Sequence, residues 1–190
     1  MVPTLPTPRA DGKLEMVVTD LEMTGRPLRN NRTSLTGHTL EVRRASRPTL
    51  HFYRYLYATV GTPYLWFARS QLTDEALATI IHDDAVEVLV LYLDGSPVGF
   101  AELDRRGGQD GNRPDDVDIL YFGVVPEHLG QGLGLRFLDR VVDHAWDEEA
   151  SRIVVHVATY DHPRALMVYQ RAGFTPFDKR TVVVDDPRGA

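Results

Sequence analysis

The sequence predicts one α/β domain with a mixed sheet. Its 190 residues suffice for one domain with a sizeable core. Hydrophobic residues make up 43% and charged residues 25%, the balance of an ordinary globular protein. Along the chain, apolar strand-like runs give way to helical patterns in the order strands, two helices, hairpin, strand, helix, strand, helix, strand. There is no internal repeat.

Taken in order, residues 1–13 are rich in proline and polar groups and read as a mobile lead. "EMVVTDLEM" (Glu15 to Met23) reads as a first strand, "GRPLRNNRTSLTGH" as a loop, and Thr39 to Ala45 as an alternating strand. "TLHFYRYLYATVG" is an aromatic helix ending at Gly61. "TDEALATIIHD" is a helix capped by Thr73, with Ala76, Leu77, Ile80 and Ile81 on one face. Val86 to Leu93 and Pro97 to Arg105 form a hairpin, because Asp94-Gly95 is a turn pair that tolerates the positive φ angles of a tight hairpin. "GGQDGNRPDD" reads as a flexible loop and Val117 to Val125 as a strand. Leu135 to Glu149 is a helix with Leu135, Leu138, Val142 and Ala145 in one stripe, and Arg152 to Ala158 is a strand. "HPRALMVYQRAGF" is a helix with Pro163 in its first turn and Gly173 as C-terminal cap. "TPFDKRTVVVDD" closes the chain with a strand.

Composition excludes several chemistries. There is no cysteine, so disulfides, thiolate metal sites and a cysteine nucleophile are all absent. His51, His82, His144 and His156 show no metal spacing, and no metal is expected. No apolar run approaches the roughly 20 residues that cross a bilayer. The opening "MVPTLPTPRADGK" lacks the apolar core of an export signal, so a cytoplasmic protein is expected, without a membrane partner. The net charge of −6 is uneven: residues 1–48 hold eight Lys/Arg against five Asp/Glu, and the remainder is acidic. An acidic body argues against a broad nucleic-acid interface. It favours a cationic partner, with solubility as the competing explanation.

The most specific signal is "VVPEHLGQGLG" (Val124 to Gly134). Gly130, Gly132 and Gly134 alternate where a strand has ended and a helix begins. A helix start has unpaired N–H groups and a partial positive charge, and the lack of side chains lets those groups converge on an anion. The segment therefore reads as a pyrophosphate cradle; a tight turn packed on the sheet is the competing reading. The dinucleotide fingerprint does not fit, since the third glycine comes one residue early. The P-loop does not fit either, since no Gly-Lys-Ser/Thr follows.

Two stretches resemble motifs of the GCN5-related N-acetyltransferase (GNAT) superfamily. Val124 and Pro126 match its V-x-P, and Gly132 and Gly134 match the G-x-G of Q/R-x-x-G-x-G/A; Leu129 stands at the Gln/Arg position. About 30 residues on, Ala165, Tyr169, Gly173 and Phe174 match the family's N-x-x-A-x-x-x-Y…GF helix, and His162 replaces the usual Asn. The resemblance covers roughly residues 86–184. It implies an acyl-CoA N-acyltransferase fold: a mostly antiparallel mixed sheet whose central strands splay apart around pantetheine, with a bulge at Gly123. It divides the chain into residues 1–36, an N-terminal extension with a possible first strand, and a GNAT-like domain over 37–190. It implies acetyl-CoA as co-substrate. Phe122, Gly123 and Val124 would hold the acetyl carbonyl and pantetheine. Leu129, Gly130, Gln131, Gly132, Leu133 and Gly134 would hold the pyrophosphate, with His162 beside the cofactor.

By the same resemblance, Tyr169 is the general acid: a phenol of pKa about 10 can protonate a thiolate. A buried core tyrosine is the competing reading. Two carboxylates are candidate bases. Asp118 lies on the strand face of Phe122 and Val124 if alternation is unbroken, in a position resembling that of a catalytic glutamate in histone-type members. Glu102 sits among apolar neighbours on the preceding strand. The aromatics of "HFYRYLY" and "TPYLWF" are either core or the lining of an acceptor pocket. The expected activity is direct transfer of an acetyl group to a primary amine of a small molecule or peptide. A catalytically idle CoA-binding domain is the alternative reading. A homodimer and a longer acyl group both stay open.

Overall fold

The computed structural model describes residues 6–28, 37–107 and 115–189. Most of "GGQDGNRPDD", part of the first loop and the extreme N terminus lie outside them. The strands are β1 (Lys13–Met23), β2 (Leu40–Arg44), β3 (Val86–Leu93), β4 (Ser96–Asp104), β5 (Asp116–Val124), β6 (Arg152–Ala158) and β7 (Thr175–Asp185). The helices are α1 (Leu50–Gly61), α2 (Asp74–Ile81), α3 (Leu133–Asp147) and α4 (Ala165–Ala172). One sheet runs β2-β3-β4-β5-β6-β1-β7, with β5 and β6 as the parallel pair and antiparallel neighbours elsewhere.

Local signals set the element ends. Thr49 and Thr73 accept the N–H groups of Phe52 and Ala76 and so cap α1 and α2. Asp94 and Gly95 have φ 49° and 83°, as a tight hairpin requires. Gly173 closes α4 at φ 109°, a left-handed cap. Pro163 lies just before α4 rather than in its first turn, because the helix starts at Ala165. On α2, Leu77 and Ile81 are buried while Ala76 is exposed.

The strand expected near the N terminus forms, and it lies inside the sheet. β1 pairs with β6 from Val18–Ala158 to Met23–Ile153 and with β7 along its length. Leu14, Leu21 and Met23 are buried there. Part of the 1–36 segment is thus structurally integral to the domain.

Helices cover both faces. On one face α1 packs on β4 and β5, and α2 packs on α1 and β3. Tyr53 of α1 meets Phe100 edge-on at 6.0 Å. On the other face Phe137 of α3 stacks on Phe122 of β5 at 5.1 Å. Two glycines permit close approach, Gly99 between β4 and β5 and Gly123 beneath α1. A Cβ on Gly99 would lie 2.6 Å from the Gly123 carbonyl oxygen, and one on Gly123 would lie 2.3 Å from Val60 Cγ1 of α1. Gly99→Ala is therefore expected to destabilise the fold by about 1–3 kcal/mol, the usual cost of forcing extra volume into a packed core. Urea unfolding with an unchanged midpoint would contradict it.

Candidate active site

Strand β5 parts from β6 halfway along. Their pairing runs from Asp116–Arg152 to Ile119–Val155 and stops. β5 continues to Val124 and β6 to Ala158, so a gap opens between their ends. Burial changes at the same point: Asp116 to Ile119 are buried, and Leu120 to Gly123 are half-buried. Phe122, Gly123 and Val124 lie on this open stretch. Their other edge is occupied by β4, through Ala101, Phe100 and Gly99. The expected bulge is not at Gly123, which pairs regularly with Phe100. The register shifts instead at Leu120, between the Glu102–Tyr121 and Leu103–Ile119 pairs. Gly123 lacks a side chain because α1 packs on it.

That bulge reassigns Asp118. An extra residue reverses alternation beyond it, so Asp118 is not on the face of Phe122 and Val124. Cross-strand partners share a face, and Asp118 pairs with Asp104, as Tyr121 pairs with Glu102. Asp118, Tyr121, Glu102 and Asp104 therefore face α1, while Phe122 and Val124 face α3 and α4. His156 lies between two carboxylates, with Nε2 3.1 Å from Asp118 and Nδ1 2.6 Å from Asp20.

Glu102 is completely buried and firmly held. It accepts the Tyr53 hydroxyl and an Arg69 N–H at 2.6 Å. Arg69 also lies over the Tyr121 ring at 5.3 Å. Burial and the Glu102 charge push the Tyr53 pKa well above that of an ordinary phenol, so Tyr53 stays a donor. Such an ion pair positions α1 and the following loop against β4. Tyr53→Phe leaves one Glu102 oxygen without its donor and should cost about 1–3 kcal/mol in denaturant unfolding. An unchanged stability would show that the hydroxyl contributes nothing.

The glycine loop follows β5. Gly130 and Gly132 have φ 79° and 75°, a conformation that strains residues with a Cβ. Gly132 is the N-cap of α3 and makes no side-chain cap bond. The backbone N–H groups from Gly130 to Leu135 meet no acceptor among the described residues. A Cβ built on Gly130, Gly132 or Gly134 meets nothing within 4 Å among the described residues, so the loop has an open side there. The loop is braced from behind, where Gln131 Nε2 donates to the Glu127 carbonyl at 3.2 Å. Leu129 is half-buried and extended, and Leu133 is buried in the core. Unpaired N–H groups at a positive helix end, open to solvent, suit an anion such as a pyrophosphate.

Helix α4 supplies the opposite wall. The buried Tyr169 ring meets Phe122 at 6.0 Å and Phe174 at 5.7 Å, both edge-on. Its hydroxyl has no hydrogen-bond partner among the described residues. Burial, reinforced by the Asp161 carboxylate, raises its pKa well above that of an ordinary phenol, which keeps it protonated at neutral pH. His162 is half-buried against Tyr64 at 6.1 Å. Its Nδ1 accepts the Arg164 N–H at 3.1 Å, and burial lowers its pKa. The ring is thus neutral, with Nε2 as its donor.

The "TPYLWF" segment crosses this wedge on the α1 side. Trp66 packs on Tyr121 at 5.1 Å and on Phe100 at 6.2 Å, and its indole N–H points to Asp161 at 3.3 Å. Leu65 holds a left-handed φ of 59°, and a Cβ on Gly61 would overlap the Trp66 ring, so the backbone is shaped around this tryptophan. Tyr53, Tyr57 and Tyr64 are buried, while Trp66 and Phe67 are half-buried. A cavity of about 500 Å³ opens on this side between Phe67, Gln71 and the end of β7 near Val183. Arg69, Trp66 and Asp161 carried no motif; Asp161 adjoins His162 in the matched helix motif, but its partners come from distant segments.

Comparison with known proteins identifies the family. The acetyltransferase (GNAT) family model matches residues 53–174. No curated protein sequence matches the chain. A GCN5-related N-acetyltransferase from Sphaerobacter thermophilus superposes with TM-score 0.64 at 15% identity, over 91% of this chain and 52% of that one. A functionally unknown conserved protein from Staphylococcus epidermidis gives TM-score 0.61 at 16% identity, over 93% of this chain and 64% of its own. An aminoglycoside N-acetyltransferase in complex with CoA gives TM-score 0.56 at 19% identity, over 77% and 94%. The chain thus spans between half and two-thirds of the first two structures.

Proposed function

Because the chain belongs to the GNAT acetyltransferase family, we propose that it moves the acetyl group of acetyl-CoA directly to a primary amine of a small molecule or peptide. The observation that carries the reading is the unpaired, uncovered run of N–H groups from Gly130 to Leu135 beside the β5–β6 gap. Gly130 to Gly134 would hold the pyrophosphate through those N–H groups. The free edge of β5 at Phe122 to Val124 offers β-type hydrogen bonds to the two amides of pantetheine. His162 would donate from Nε2 at the same gap. An N–H of that edge would stabilise the oxyanion that forms as the amine attacks. Tyr169, protonated and unpartnered, would give its proton to the departing thiolate.

The acceptor would enter from the α1 side, past Trp66 and Phe67, toward a face that bears Asp118 and Glu102. Glu102 is neutralised by Arg69, so its part is to fix that wall. A cationic amine suits the acidic body. Among the described residues no helix is long and apolar enough to cross a membrane.

The test is release of free CoA from acetyl-CoA with a panel of primary amines, aminoglycosides and peptides. Acceptor-dependent thiol release is the expected result. Tight CoA binding with no thiol release from any acceptor would favour an idle CoA-binding domain.

A further inference from the structure

The carboxylates on this sheet are almost all compensated. Glu102 faces Arg69, Asp104 faces Arg106, and Asp116 faces Arg152. Glu87 meets Arg105, Arg44 and His144; Asp20 meets His156 and Arg180; Asp118 meets His156. Taking a carboxylate out of water costs several kcal/mol unless a cation or several donors replace the water. Asp161, just beyond the end of β6, has no cationic partner among the described residues.

Its surroundings are specific. Oδ2 accepts the Ala158 N–H at 2.7 Å, and Oδ1 accepts the Trp66 indole N–H at 3.3 Å. Each oxygen keeps a free lone pair. Burial raises its pKa above the usual carboxylate range, against the lowering effect of those two bonds. Two tyrosines feel its charge: Tyr169, from the α4 side, and Tyr64, from the α1 side. The Tyr64 hydroxyl is buried with no partner. Asp161 follows the end of β6, at the mouth of the gap, where Trp66 reaches across from the wall over β4 and β5. A carboxylate held by two neutral donors at the mouth of the gap, with no cation beside it among the described residues, is a place prepared for a cation.

We propose that Asp161 is the carboxylate that receives the ammonium group of the acceptor and takes its proton. The proposal rests on the acetyl-transfer reading above. One proton passes from R–NH3+ to the Asp161 carboxylate and leaves free R–NH2. The nitrogen lone pair forms the C–N bond to the thioester carbonyl carbon. The tetrahedral species collapses with cleavage of the C–S bond, and the electron pair goes to sulfur. Tyr169 protonates that sulfur and regains a proton from the nitrogen, which becomes the amide. Asp161 returns its proton to solvent, so the net products are amide, CoA thiol and one proton. Asp118, held by His156, and Glu102, held by Arg69, then shape the acidic face.

The test uses Asp161→Asn and Trp66→Phe in the full chain. CoA affinity by calorimetry and the thermal midpoint serve as checks on folding and on the cofactor site. With the best amine of the panel, Asp161→Asn should lower kcat/KM about 10²-fold near pH 7, in the range of general-base effects. The deficit should shrink as pH rises toward the amine's own pKa, where free amine no longer needs a base. Trp66→Phe removes a bond that favours the charged carboxylate, so the acid limb of its profile should move to higher pH. A folded, CoA-binding Asp161→Asn protein that keeps the wild-type rate and profile overturns the proposal alone. So does a deficit that is the same at every pH, which marks a structural role. Failure of the wild type to bind CoA, or to acetylate any amine, overturns the acetyl-transfer reading and the proposal with it.

Discussion

Gly132→Glu is expected to abolish CoA binding. The substitution acts on the open face of the cradle, where a Cβ meets no protein atom, so the new side chain enters the space assigned to the pyrophosphate. It brings a negative charge to a site that would hold a negative ligand, and like charges brought together cost several kcal/mol. An affinity loss of about a hundredfold or more follows. The backbone at φ 75° adds strain of about 1–2 kcal/mol for any residue with a Cβ. Gly132→Ala separates the two effects, since it carries the strain without the charge and should weaken binding much less. Calorimetry is the measurement. Unchanged CoA affinity in a folded Gly132→Glu protein would mean that the glycine loop is only a turn.

Tyr169→Phe should lower turnover by roughly 10²–10⁴, the usual contribution of a general acid. The ring contacts with Phe122 and Phe174 survive the change, so acetyl-CoA affinity should hardly move. The raised pKa gives a second readout. A group that stays protonated well above the ordinary phenol value cannot itself produce an alkaline fall in rate below about pH 10. A fall in that range in the wild type would therefore belong to another group. If turnover drops less than about threefold, Tyr169 serves packing and the proton comes from elsewhere.

The legible parts of the site were those written in local backbone terms. The alternate glycines marked a turn from strand into helix, and Gly130 and Gly132 hold positive φ angles there. The matched motif singled out Tyr169 and His162; Tyr169 lies on α4 against Phe122 of β5, and His162 precedes the helix and packs on Tyr64. The carboxylates were harder. Strict alternation assigned Asp118 to the face of Phe122; the bulge at Leu120 put it on the other. Nothing near Glu102 in the chain announced Arg69, which lies 33 residues away and reaches it through the fold of the α1–α2 connection.

What the sequence determined by itself is the order of the elements and several of their ends. Thr49, Thr73, Asp94, Gly95 and Gly173 each act within a few residues of their own position, so their meaning does not depend on the rest of the chain. Tertiary structure alone decided three things: that β1 lies between β6 and β7, which face Asp118 occupies, and that Trp66 meets Asp161 across the gap. Each depends on which distant surfaces bury one another. Packing α1 onto Gly123 fixes the sheet on one side, and parting β5 from β6 leaves a half-buried carboxylate facing an indole 95 residues away in the chain. Burial energy is settled by the whole set of contacts at once, and no local pattern of residues encodes it.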